Sequence, residues 1–293
     1  IGKTELSLTL AEEFNGCIVS ADSMQIYRYM NIGTAKPDAF DRSRVPHYMM
    51  DICDPDEPFD AAKFSMEGRR AVQQIRALQK IPFVVGGTGF YIRALLHGLF
   101  DALPGDPAIT RQLEAASEAN GICALHDRLE MCDPEAAARI HPNDTYRIIR
   151  ALAVFEATGL PVSEVQKTHG FKDSPFEVLH ICLDMDRAAL YDRINRRVDA
   201  MVAGGLLDEV KQLLAMGYGA QLRPMQAIGY RHMTDFIEGR VGWEDTVYLL
   251  KRDTRRFAKR QLTWFRKETD MIFSSPEEKQ TLSALIRGFL NSP

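Results

Sequence analysis

Ile1-Gly2-Lys3-Thr4 opens the chain, and Gly2, Lys3 and Thr4 have the types of the last three positions of a phosphate-binding loop, G-x-x-x-x-G-K-[ST]. In such a loop backbone amides cradle phosphate oxygens, the lysine reaches across them, and the final hydroxyl holds Mg²⁺. The first strand and the glycine-rich beginning of the loop are expected to precede the sequence as given. Beyond the triplet, Leu6, Leu10, Ala11 and Phe14 recur at helical spacing. The spacing predicts a helix over 5–14 with Lys3 and Thr4 at its N-terminus, where the helix dipole favours anions. A surface Lys-Thr pair at an ordinary helix start is the other reading of so short a fragment.

Working outward, short β-rich runs at 17–20, 48–52, 82–85 and 178–183 precede turn or helix signals, with a helical pattern at 64–78 between two of them. Strand and helix in alternation imply an α/β fold of the P-loop NTPase-like kind, a parallel sheet with helices on both faces and ligands at the carboxyl ends of the strands. From about 110 to 172 strand signals vanish. Helical patterns at 111–119, 124–131, 134–139 and 146–158 follow one another, punctuated by Gly121, Asp133-Pro134, His141-Pro142-Asn143-Asp144 and Gly159-Leu160-Pro161. The expected organisation is a catalytic core formed by 1–109 and 176–293, interrupted by an all-helical insertion at 110–175. Long helices at 187–203, 206–216 and 243–267 and a last strand at 271–273 complete the core.

The 293 residues, 45% hydrophobic and 26% charged, have the composition of a globular protein with one sizeable core and an extra lobe. No apolar run has membrane-spanning length, and the cytoplasm is the expected location. Five scattered cysteines, Cys17, Cys53, Cys123, Cys132 and Cys182, form no C-x-x-C pair, which argues against a disulfide framework and against zinc. The net charge of −4 is unevenly placed. Residues 251–267 hold eight Lys or Arg against one Asp, so that this segment carries +7 and the remainder −11. Val247, Leu250, Phe257 and Phe265 supply an apolar face, and Arg252, Arg255, Arg256, Lys259 and Arg260 crowd the rest, as in a basic amphipathic helix. A solvated helix face and a nucleic-acid surface both fit.

Asp22-Ser23-Met24-Gln25-Ile26-Tyr27 begins just beyond the 17–20 strand, which puts Asp22 on the rim that carries the phosphate loop. There it is a candidate base or magnesium partner, or a cap on a helix or turn. Gln25 adds an amide able to pair with a base edge and Tyr27 an aromatic able to stack. The third strand runs into Gly86-Gly87-Thr88-Gly89-Phe90-Tyr91, a turn whose glycines permit close approach of a ligand and which carries a hydroxyl at Thr88. A plain strand–helix turn is the alternative. The lack of a Walker-B Asp at the end of that strand counts against simple NTP hydrolysis. Arg193, Arg196 and Arg197 share a helix, with Arg193 and Arg197 on one face. Arg147 and Arg150 make a second positive face. His141 reads as a turn or cap residue, and no His, Cys and carboxylate cluster has metal-ligand spacing.

Gly2-Lys3-Thr4, the 22–27 hexapeptide, Ile32-Gly33-Thr34-Ala35-Lys36-Pro37, the 86–91 turn, His141-Pro142-Asn143-Asp144 and Lys259-Arg260-Gln261-Leu262-Thr263-Trp264-Phe265-Arg266 together strongly resemble the tRNA dimethylallyltransferases, in order and over nearly the whole chain. The resemblance implies transfer of a dimethylallyl group from dimethylallyl diphosphate to N6 of the adenosine 3′ of the anticodon in tRNA. It implies Asp22 as general base, Thr88 beside the reacting centre, and Gly2, Lys3, Thr4 and Arg197 on the diphosphate, with Thr4 also on Mg²⁺. It also implies tRNA contacts at Asp22, Ser23, Met24, Gln25, Thr88, Thr110, Tyr146, Arg147, Ile148, Ile149, Arg150, Gln226, Gly229, Tyr230, Arg231, Lys259, Arg260, Gln261, Trp264 and Arg266. Family members often have Gln where this chain has Tyr146. Neither a membrane nor an obligate protein partner is implied. The rivals are a small-molecule enzyme on the same fold, such as an adenylate isopentenyltransferase or nucleotide kinase, and a non-catalytic nucleotide-gated RNA-binding protein. The helical insertion and the +7 segment argue against the first.

Overall fold

A computed structural model describes residues 2–98, 107–169 and 175–292. Ile1 and the Lys172 end of the helical stretch lie outside these residues. The chain forms two compact units, Ile1–Leu95 with Phe176–Pro293, and Leu96–Pro175. In the first half of the larger unit α1 (Lys3–Glu13), β1 (Gly16–Ala21), α2 (Ala39–Arg44), β2 (His47–Tyr48), α3 (Ala61–Ala77), β3 (Ile81–Gly86) and α4 (Gly89–His97) follow in order, α4 running past the boundary at Leu95. The smaller unit holds α5 (Pro107–Asn120), α6 (Ile122–Cys132), α7 (Pro134–Arg139), α8 (Thr145–Thr158) and α9 (Val162–His169). The larger unit resumes with β4 (Ile181–Leu183), α10 (Arg187–Ala203), α11 (Leu206–Ala215), a 3₁₀ turn (Arg223–Gln226), α12 (Tyr230–Ile237), α13 (Trp243–Phe265), β5 (Ile272–Ser274) and α14 (Lys279–Leu290).

The expected α/β architecture is present. Three strands pair in parallel in the order β2-β1-β3, with Gly16 opposite Ile81 and Ala21 opposite Gly86, and β4 pairs in parallel with β5. Parallel pairing requires crossovers, and helices supply them. Helix α1 is apolar on two sides at once. Leu8 and Ala11 pack with Ile18, Val45, Phe83 and Val85, whereas Leu6 and Leu10 pack with Ile181, Leu183, Leu282 and Ile286. One helix therefore holds β1 and β3 on one flank and β4 and α14 on the other, and its N-terminus is fixed at the end of the sheets where β1, β3 and β4 finish.

The strand expected over 48–52 is confined to His47–Tyr48. Met49 and Asp51 take positive φ values of 63° and 53°, incompatible with extension. Asp51 is held in that turn by Lys36 at 2.6 Å and Arg42 at 2.7 Å. The strand expected from 178 begins only at Ile181. Among the described residues no helix is long and apolar enough to cross a membrane.

The smaller unit packs its own core from Leu113, Leu125, Leu129, Ile148 and Leu152. A buried carboxylate stitches its ends. Asp133 accepts the Ala136 N–H at 3.0 Å, capping α7, and the Ser163 N–H at 2.9 Å, anchoring α9. These bonds outweigh the cost of burial and hold the carboxyl below its usual range. Asp133→Ala leaves two buried donors unsatisfied, and the expected loss is roughly 1–3 kcal/mol. An unchanged urea midpoint for this unit's unfolding would contradict that role.

Candidate active site

Gly2 precedes α1 in the left-handed region at φ 92°, with the Arg193 guanidinium so close that a Cβ would meet it at 2.9 Å. Glycine answers both demands. Lys3 begins the helix and turns its side chain inward. Burial pulls its pKa down, the Asp22 carboxylate pulls it back up, and the Arg197 guanidinium again lowers it. Desolvation likewise lowers Arg197, opposed by Asp22, although the residue as a whole stays exposed. Lys3, Asp22 and Arg197, far apart in sequence, thus form one electrostatic cluster at the N-terminus of α1. Thr4 is exposed beside it.

Asp22 follows β1 directly. Its Oδ1 accepts the Met24 N–H at 2.9 Å and the Gln25 N–H at 3.4 Å, an Asx turn that fixes the carboxylate and leaves Oδ2 for other work. Thr88, beyond the end of β3, is tied to the same turn. Its Oγ1 accepts the Ser23 N–H at 3.0 Å and donates to Ser23 Oγ at 3.3 Å, while its own N–H reaches the Ala21 carbonyl at 3.2 Å. The parallel register of β1 and β3 therefore delivers carboxylate and hydroxyl to one place. Gln25 has both ends of its amide engaged. Ser20 Oγ donates to its Oε1 at 2.9 Å, and its Nε2 donates to the Thr34 and Ala35 carbonyls at 3.2 and 3.4 Å. The group expected to read a base edge braces a loop instead.

That loop belongs to the Ile32–Pro37 motif, and it is pinned by a residue whose sequence gives no warning. Buried Glu209 on α11 accepts N–H bonds from Asn31, Ile32 and Gly33 at 2.9, 2.7 and 3.1 Å, and the Tyr230 hydroxyl at 2.7 Å. Tyr230 is fully buried, with burial followed by the Glu209 charge driving its phenol far above the usual range. Its side chain is structural, which removes it from the expected tRNA contacts. Gly229 caps α12.

The glycines of the 86–89 turn face protein. A Cβ on Gly86 would lie 2.1 Å from the Ala21 carbonyl oxygen, one on Gly87 2.2 Å from Gln261 Nε2 and 3.2 Å from Lys3 Nζ, and one on Gly89 2.3 Å from the Trp264 ring. Gln261 Nε2 donates to the Gly87 carbonyl at 2.9 Å. Two residues of the basic C-terminal motif thus form the floor of the site, with Arg93 over the Trp264 ring at 5.0 Å. The expectation was close approach of a ligand, and the structure shows α13 packed against these glycines.

Helix α13 divides its cations. Arg255 donates to Asn195 Oδ1 at 2.6 Å and lies over Tyr191, and Lys251 pairs with Asp199 at 2.6 Å, so both serve packing on α10. Arg256, Lys259 and Arg260 are exposed. Phe257, expected on the apolar face, is 42% exposed with Arg260 over its ring, while Thr246, Leu250 and Ala258 are the buried positions. Arg266 donates to Asp184 at 2.9 Å. Gln226 and Arg231 are also exposed. A cavity of about 620 Å³ opens beside Arg193, Arg196 and Arg197, with Met185, Ala189, Asp192 and Glu277 completing its lining.

In the smaller unit, Tyr146, Arg147 and Arg150 are exposed on α8, and Thr110 is partly so on α5. Ile148 and Ile149 are buried in that unit's core. Their side chains cannot reach a ligand, a correction to the contacts expected of the whole 146–150 run that the helical period explains.

Residues 25–268 match the family model described as IPP transferase. A tRNA dimethylallyltransferase of Desulfosudis oleivorans is 50% identical over 291 residues, covering 99% of this chain and 93% of that protein. One of Syntrophobacter fumaroxidans is 50% identical over 286 residues, covering 98% and 84%. Among solved structures, the full-length tRNA isopentenylpyrophosphate transferase of Bacillus halodurans superposes with a TM-score of 0.73 at 41% identity, covering 99% of this chain and 93% of that one. A eukaryotic dimethylallyltransferase described as acting on tRNA gives 0.86 at 29% identity, covering 100% and 77%. With its site at the strand ends and these relatives matched along almost its entire length, the chain belongs to the IPP transferase family.

Proposed function

We propose that the chain is a tRNA dimethylallyltransferase that carries the dimethylallyl group of dimethylallyl diphosphate to N6 of the adenosine 3′ of the anticodon. The observation that carries this reading is the Lys3, Asp22 and Arg197 cluster beside the Thr88–Ser23 hydrogen bonds, at the carboxyl edge of a parallel sheet that we read as P-loop NTPase-like.

Two cations facing one carboxylate leave a positive field that a diphosphate completes. Lys3, the amides at the start of α1 and Arg197 hold the phosphates, and Gly2 lets Arg193 approach the same region. The C–O bond from the allylic carbon to the diphosphate breaks, and the electron pair leaves on the phosphate oxygen. As charge grows there these fixed donors bind it more tightly, which lowers the barrier. The exocyclic nitrogen supplies the pair for the new C–N bond, and its proton passes to Asp22. The Asx turn keeps Oδ1 occupied and orients the carboxylate, and Thr88 holds the neighbouring Ser23 backbone. Mg²⁺ suits this donor set as an ion borne by the substrate. The Thr4 hydroxyl stands at the helix start, and no group of three or more His, Cys, Asp or Glu forms a cage of its own among the described residues. Phosphate oxygens and water are the ligands this hard cation prefers, and the bound ion would neutralise leaving-group charge.

An adenosine within an anticodon loop must leave its stack to reach a site of this kind. Each unit has its own polar and cationic face for the stem-loop backbone, Arg256, Lys259, Arg260, Arg231 and Gln226 on the larger and Thr110, Tyr146, Arg147 and Arg150 on the smaller. Ser23 and Met24 border the base. The 110–175 insertion is thereby a tRNA-binding domain within the catalytic core of 1–109 and 176–293, and the enzyme works in the cytoplasm.

Asp22→Ala is expected to lower kcat by about 10²–10⁴-fold with tRNA affinity retained. Turnover equal to the parent's would remove Asp22 as the base. Changing Arg256, Lys259 and Arg260 to Ala together should weaken tRNA binding and reduce the slope of log K against log salt by about two. An unchanged slope, measured by titration across salt concentrations, would make that face merely solvated.

A further inference from the structure

The basic stretch 251–267 contains one acid, Asp253, and the structure gives it three hydrogen-bond donors and one further cation. On Oδ2 it receives Arg231 Nη2 at 3.3 Å and His232 Nε2 at 3.2 Å, both from α12. On Oδ1 it receives Arg252 Nε at 2.9 Å and faces Arg256 Nη1 at 3.6 Å, both from its own helix. The Asp253 side chain is 16% exposed, whereas Arg231 and Arg256 are 44% and 62% exposed. The Gly229 N–H donates to His232 Nδ1 at 3.4 Å, so the proton that bonds the carboxylate is on Nε2. Burial keeps the imidazole pKa low and the ring neutral.

An acid on a surface that meets RNA phosphates repels them. Its presence calls for a gain, and the geometry supplies one. Each arginine spends one nitrogen on Asp253 and keeps further N–H donors of its fork toward solvent. An arginine already held in place loses less rotamer freedom when it meets a phosphate. We propose that Asp253 is a positioning residue for tRNA binding, which locks α12 to α13 and presents Arg231 and Arg256 as one preorganised phosphate-binding pair. This inference rests on the reading of that face as a tRNA surface. Asp253 touches neither the substrate nor the reacting atoms.

The sign of the Asp253→Asn effect decides the matter, because the change adds positive net charge. Summed charge predicts tighter tRNA binding, and positioning predicts weaker. We expect tRNA affinity to fall about fivefold or more, with KM for tRNA rising and both kcat at saturating tRNA and KM for dimethylallyl diphosphate unchanged. Asp253→Glu should recover much of the loss. In an Arg231→Ala background Asp253→Asn should have a smaller effect, since one of its two clients is gone. Arg231→Lys, which keeps charge and loses the fork, tests the same claim if Asp253→Asn fails to fold. Affinity in Asp253→Asn equal to or above the parent's, or an equal loss with and without Arg231, would overturn the proposal. Unchanged affinity on removal of Arg231, Arg256, Lys259 and Arg260 together would instead overturn the tRNA reading of this face, and the role of Asp253 with it.

Discussion

Lys3 is drawn out of water at the tip of a helix that is apolar on two sides. Helix α1 is held on two flanks, with Leu8 and Ala11 against β1 and β3 and Leu6 and Leu10 against β4 and α14. An ammonium carried inward by such a helix loses hydration and must find compensation in the protein or in a ligand. Asp22 supplies part of it and Arg197 works against it. The cluster is therefore left electropositive and anchored, the condition for stabilising a leaving group without reorganisation at the moment of reaction.

The rest of the site follows from where that helix tip lies. Parallel pairing brings the ends of β1 and β3 level, so the Asp22 turn and the Thr88 hydroxyl meet. The 86–89 turn is kept free of side chains at Gly86, Gly87 and Gly89, and this permits the Gln261 amide and the Trp264 ring of α13 to press against it. One helix thus presents Gln261 and Trp264 inward and Arg256, Lys259 and Arg260 outward. The floor of the site and the exposed cations are parts of one 23-residue helix.

Much of this was legible in the sequence because its signals are local. A Gly-Lys-Thr at a helix start, an Asp just past a strand and a Gly-Gly-Thr-Gly turn name their own positions, and α7, signalled by Asp133-Pro134, and α10 span the residues that the helical patterns at 134–139 and 187–203 predict. What escaped depends on partners distant in sequence. Glu209 carries no sequence signal at all, yet it gathers the amides of Asn31, Ile32 and Gly33. Asp253 reads as a dilution of positive charge until α12 packs beside it. Gln25 looked like a base reader, and the carbonyls of Thr34 and Ala35 claim its amide. Strand 48–52 failed because two cations hold Asp51 in a turn, an interaction that β propensity does not register.

The most direct test of the account follows the transferred group. Dimethylallyl diphosphate labelled in the allyl chain is incubated with the protein, Mg²⁺ and unmodified tRNA, with free AMP and ATP present as competing acceptors, and the products are digested to nucleosides and located. The account predicts label on N6 of the adenosine 3′ of the anticodon and little on free nucleotide. Label on AMP or ATP alone would contradict it in favour of a small-molecule transferase, and label on neither would contradict the assignment of the Lys3, Asp22 and Arg197 cluster as a centre for prenyl transfer.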